Sequence, residues 1–63
     1  MITVLVVDDH ELVRTGICRM LEDHPDVEVI GQAESGEEAI ALVRQRHPQV
    51  VLLDVNMPGI GGV

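Results

Sequence analysis

Residues 2–9 read ITVLVVDD: a short β-branched run that stops abruptly at two carboxylates, Asp8 and Asp9. A half-exposed strand alternates apolar with polar side chains. A run that stays apolar on both faces is expected of a central parallel strand with helices packed on each side. That reading makes everything downstream a matter of finding the helices and the neighbouring strands.

From about His10 to Asp23 the apolar period lengthens. Val13, Ile17, Met20 and Leu21 recur at helical spacing and are expected to form one buried stripe. Glu11 suits the positive end of the helix dipole, and Pro25 ends the helix by disfavouring helical geometry in the residue before it. Gly16 costs about 1 kcal/mol against alanine inside a helix, which implies a close-packed neighbour.

Residues 27–31, VEVIG, alternate and predict a more exposed edge strand. Residues 35–48, SGEEAIALVRQRHP, predict a second helix opened by a Ser35/Glu38 capping box, with Ala39, Ile40 and Val43 on its buried side. Arg44 and Arg46 fall in its last turn, where cations are favoured, and Pro48 closes it. Residues 49–55, QVVLLDV, form a third strand. The order β-α-β-α-β implies parallel strands joined by crossovers, a three-layer α/β arrangement.

Composition narrows what such a domain does. The chain has 63 residues and no Phe, Tyr or Trp, so its core must be aliphatic. Its net charge is −7 and its four basic residues are all arginines. Such a chain repels phosphate backbones and anionic membranes, so neither is expected to bind this segment directly. The single cysteine, Cys18, suits a reducing cytoplasm. No apolar run approaches the ~20 residues of a membrane helix, and the amino end lacks the basic region of a signal peptide.

The acids cluster by topology. Ligands of parallel α/β sheets sit at the carboxyl ends of strands, beside the point where strand order reverses. Asp8 and Asp9 end the first strand and Asp54 ends the third. If those strands are neighbours, three carboxylates meet at one rim and repel one another. A divalent cation resolves the conflict, and Mg2+ takes carboxylates, waters and phosphate oxygens; the backbone carbonyl of Asn56 is a further candidate ligand. A blander reading stands beside this one, in which Asp9 or His10 caps the first helix. Asp54, closing a strand of Val and Leu, has no cap to make. The histidines are not expected to form a metal site, since His24 and His47 precede prolines at helix ends. Cys18 reads as a packed thiol, because no basic partner surrounds it to make it a nucleophile.

Taken together, "VLVVDDHELVRTGI" and "VVLLDVNMPGIGG" resemble the receiver domain of bacterial two-component response regulators. The double acid, the aspartate closing strand three and the D-x-x-M-P-G-x-x-G pattern after it carry the likeness. The wording "VDDHELVRTGI" is similar to the NarL/FixJ class and, within it, the GacA/UvrY/SirA type of global regulator. The resemblance implies a CheY-like (flavodoxin-like) fold with strands in the order 2-1-3. It implies that Asp54 is the phosphoacceptor for a sensor histidine kinase, that Asp8, Asp9, Asp54 and Asn56 hold Mg2+, and that Pro58 and Gly62 shape the loop beside the phosphate. It further implies that the protein acts in the cytoplasm as an acceptor, not as an enzyme.

The likeness spans all 63 residues but only about the first half of a receiver. Strands four and five, the Thr or Ser and the Lys that end them, and the helix-turn-helix that gives this class its DNA contact are not in the sequence. Phosphotransfer to this chain is therefore expected to be slow. Strand three is expected to expose an apolar edge, which invites association: a two-fold homodimer pairing strand three with its mate, or a swapped dimer. Two other readings remain open here. One is an aspartate-nucleophile phosphohydrolase of the haloacid dehalogenase type, which wants a second acid where Asn56 stands; the other is a self-associating structural module.

Overall fold

The computed structural model describes residues 1–53. It contains β1 (Ile2–Val7), α1 (Glu11–Glu22), β2 (Val27–Ala33), α2 (Gly36–Arg46) and β3 (Val50–Leu53). The three strands form one sheet in the order β2-β1-β3, with β1 parallel to both neighbours. The expected α/β architecture and strand order are both present.

β1 is the centre, as its unbroken apolar run requires. Its side chains alternate between two cores. Val4 and Val6 meet Cys18, Ile17 and Leu21 of α1 on one face, with Val27 and Val29 of β2 beside them. Leu5 and Val7 meet Ala39 and Leu42 of α2, with Ala33 of β2, on the other. Each fully buried aliphatic side chain contributes about 1.5–3 kcal/mol, so a sheet with two thin aliphatic cores replaces the aromatic anchor the chain lacks.

Helix α1 buries a stripe rotated from the expected one. Cys18 is its most buried residue, at 4% exposure, whereas Met20 is 65% exposed and Val13 is exposed as well. At about 100° per residue, the stripe centred between Ile17, Cys18 and Leu21 leaves Met20 about 110° away, facing outward. A similar correction applies to α2. Ala39 is buried and Leu42 packs on the core, but Ile40 and Val43 are exposed. The helix lies over β1 and β2, so those two side chains point instead into an open groove shared with Val51 and Leu53.

The ends of the elements follow local chemistry. Ser35 Oγ accepts from the Glu38 amide at 3.2 Å, half of the expected capping box. The α2 C-cap is His47 at φ 50°, a left-handed residue just ahead of Pro48. Strand β2 runs two residues past the expected end, paired with β1 as far as Val7↔Ala33, and its register shifts on the way: Val4 pairs with Val29, but Leu5 pairs with Gly31. Ile30 is passed over, and its carbonyl accepts from Arg46 Nη1 instead. Gly31, not Gly16, is the close-packed glycine. A methyl group at Gly31 would lie 3.2 Å from Leu5 Cδ1, while one at Gly16 would meet nothing within 4 Å.

At the amino end of the sheet β1 and β3 are clasped. The Gln49 amide donates to Thr3 O at 3.1 Å and to Thr3 Oγ1 at 3.0 Å. The Thr3 amide returns a bond to Gln49 Oε1 at 2.9 Å.

Candidate functional site

The opposite rim gathers the chemistry. β1 and β3 pair in parallel through Val7↔Leu53, so both strands end at the same edge of the sheet. Asp8 follows Val7 directly. It is only 3% exposed, and it is fixed by its backbone before its side chain does anything. Its amide donates to Ala33 O at 3.0 Å, and its carbonyl accepts from Arg14 Nη1 at 2.7 Å. Arg14 Nε also donates to Gln32 Oε1 at 3.2 Å, tying the first turn of α1 to the ends of β1 and β2.

The Asp8 carboxylate has a partner as well. Its Oδ1 accepts from the His10 amide at 2.7 Å. His10 occupies the N-cap position of α1 with extended backbone (φ −98°, ψ 109°), yet its side chain makes no capping bond. The imidazole turns back instead. Its Nδ1 lies 2.8 Å from Asp9 Oδ1 and 3.4 Å from Asp8 Oδ1. One ligand atom from each of Asp8, Asp9 and His10 falls within 4.8 Å of the others. His10 does take the N-cap position that the sequence allowed it, but without a side-chain cap, and its backbone there aims the ring at the two acids. His24 and His47 do remain at helix ends, His47 as the C-cap of α2.

The donor chemistry suits a hard dication. Asp8 and Asp9 offer carboxylate oxygens, the ligand type Mg2+ prefers. The Asp9 side chain is 36% exposed, which leaves water access for the rest of a coordination shell. Between α1 and β3, Val7, Asp8, Val13, Ile17, Leu52 and Leu53 line an open pocket of about 330 Å3, and among these described residues Asp8 supplies the charge. Asp54, Asn56, Pro58 and Gly62 lie outside the described residues.

Cys18 takes no part in this rim. Burial pushes its thiol above the ordinary 9.0, the Glu22 carboxylate adds to that, and the Arg14 guanidinium opposes it. A buried, protonated thiol packs as a small apolar group, as expected.

Residues 4–63 match the response regulator receiver domain family. The chain belongs to that family. This receiver is 65% identical over 63 residues to response regulator GacA of Pseudomonas protegens, covering 100% of this chain and 30% of that protein. It is 56% identical to response regulator UvrY of Escherichia coli K12, again over 100% of this chain and 29% of the relative. The chain thus spans about 30% of the length of these curated relatives. Among solved structures, the signal receiver domain of response regulator NarL from Mycobacterium tuberculosis superposes with a TM-score of 0.86 at 43% identity, over 92% of this chain and 47% of that one. The receiver is of the GacA/UvrY type with a NarL-like fold, and the phosphohydrolase alternative falls away. Among the described residues no helix is long and apolar enough to cross a membrane.

Proposed function

We propose that this receiver accepts a phosphoryl group on Asp54 from the phosphohistidine of a sensor kinase, in the cytoplasm. In the longer regulator to which its relatives correspond, that event would control a DNA-binding domain that follows the receiver. The observation that carries this reading is the Val7↔Leu53 pair. It sets the strand leading into Asp54 beside the strand leading into Asp8 and Asp9.

Asp8, Asp9 and Asp54, with the Asn56 carbonyl, would hold Mg2+, and the residues described here fit that ion. When bound, Mg2+ offsets the repulsion between an anionic acceptor and an anionic donor. The chain's own part is positional. Arg14 and Ala33 fix Asp8 through its backbone, so the end of β1 is set before any ligand arrives, as loose in-line phosphoryl transfer demands. An oxygen of Asp54 forms the new O–P bond as the N–P bond of the donor breaks. The electron pair of that bond stays on the departing imidazole, which is neutral with one proton on its other nitrogen. The domain is an acceptor that is changed by the transfer, not a turnover catalyst.

Lysine is absent from the chain, so it offers no lysine ammonium to clamp the product phosphate, and transfer to this chain is expected to be slow. Incubation with Mg2+ and acetyl phosphate, followed by intact mass measurement, tests the assignment. A single phosphoryl adduct that disappears in Asp54→Asn is expected. An adduct that survives that substitution would overturn it. Mg2+ titration should show weak binding that Asp9→Asn abolishes.

Alone, the 63-residue chain is proposed to self-associate. β3 is paired on one side by β1, and all four of its residues are exposed. A two-fold dimer through that edge would pair β3 antiparallel with its mate.

A further inference from the structure

We propose that His10 is a positioning residue of the cation site: its imidazole holds the Asp9 carboxylate in the orientation that cation binding needs. The inference rests on the reading that Asp8 and Asp9 bind a divalent cation, and it adds a residue outside that ligand set.

The two acids are secured unequally. Asp8 is buried and held three times over, by the Ala33 carbonyl, the Arg14 guanidinium and the His10 amide. Asp9 is far more open, and its side-chain partner among the described residues is the His10 ring at 2.8 Å. Without that contact the Asp9 carboxylate would sample several rotamers, and ordering it would count against binding.

The ring is available for this because its usual employment is declined. A polar side chain at an N-cap ordinarily accepts from the helix amides, but the His10 side chain makes no such bond. Its backbone donates to Asp8 while its ring reaches Asp9, so one residue links both carboxylates. The ring is 68% exposed, so charge attraction alone would be weak and screened. The geometric restraint is what matters. With His10 Nδ1 seated 2.8 Å from Asp9 Oδ1, the other oxygen, Oδ2, is left for the cation, an arrangement in which an outer partner orients a ligating carboxylate.

The test titrates Mn2+ by its electron paramagnetic resonance signal, and Mg2+ by calorimetry, into this chain and three variants. Loss of an outer partner typically lowers metal affinity about 10–100-fold. His10→Ala should weaken Mn2+ and Mg2+ alike by about tenfold, with the far-UV circular dichroism spectrum unchanged. His10→Asn keeps a short N–H donor and a favoured N-cap, and should restore most of the affinity. Asp9→Asn should abolish binding. Equal affinities for His10→Ala and the parent chain, with Asp9→Asn still inactive, would overturn the role of His10 and leave the cation site standing. A loss confined to Mn2+ would also overturn it, by making His10 a direct nitrogen ligand, since Mg2+ prefers oxygen. No binding by the parent chain would remove the cation site and His10's role together.

Discussion

Val7 and Leu53 face each other as the last registered pair of the β1–β3 ladder, yet Val7 is 1% exposed and Leu53 is 50% exposed. The two strands that share the functional rim are therefore unequally supported. β1 is sealed by a helix on each face, whereas β3 offers apolar side chains to the solvent and, among the described residues, pairs with β1 alone.

That asymmetry makes β3 the element through which the chain should associate. Sedimentation equilibrium at micromolar concentration is expected to show a dimer. A charge placed on the edge, as in Val51→Lys, blunts strand pairing and should shift the equilibrium toward monomer by at least tenfold. A folded parent chain that sediments only as a monomer would contradict the proposal.

The rotated stripe of α1 and the central position of β1 predict opposite outcomes for two large apolar side chains. Leu5→Ala empties a site that is 1% exposed and should cost about 2–5 kcal/mol. Met20→Ala changes an exposed side chain and should stay within about 0.5 kcal/mol. Urea unfolding followed by far-UV circular dichroism separates the two, a suitable probe for a chain with no aromatic residue.

The two glycines should also part company. Gly16 sits exposed in the interior of α1 with open space where a methyl group would go, so Gly16→Ala is expected to stabilise by about 0.5–1 kcal/mol. At Gly31 the added methyl would press on Leu5 Cδ1, and Gly31→Ala should destabilise by about 1 kcal/mol. The same denaturation curves give both signs.

Cys18 predicts a pH dependence. Its thiol is raised above 9.0 in the folded chain, so the unfolded chain gives up this proton first as the pH rises. The stability that comes from burying the neutral thiol is fully present below pH 9.0. It is lost as the pH climbs through the folded value. Cys18→Ala should flatten the decline above pH 9.0, measured as the urea midpoint across an alkaline series. An identical slope in the variant would assign the decline to other groups.

Much of this was readable from residue order. ITVLVV announced a strand covered on both faces, and the two intervening helical periods forced parallel neighbours. Those two inferences alone bring Asp8 and Asp9 to the rim that β3 shares. What could not be read was finer than one helical turn or one strand residue. Met20 and Cys18 differ by two positions, and hydrophobicity alone favoured the methionine. Cys18 is the residue that packs on Val4 and Val6 of β1. The shift that skips Ile30 leaves its carbonyl to Arg46 of α2, a contact between elements that a one-dimensional pattern does not contain. His10 was missed for a related reason. A histidine beside two acids signals little until the N-cap backbone turns its ring toward them.

The clasp between Thr3 and Gln49 has a reach beyond the corner it closes. Strands repeat every two residues, so sliding β3 by a single position would turn each of its side chains to the opposite face. The three hydrogen bonds at that corner act as the zero mark of a ruler that is read one strand length away. Thr3 is thus a gauge for a rim it never touches.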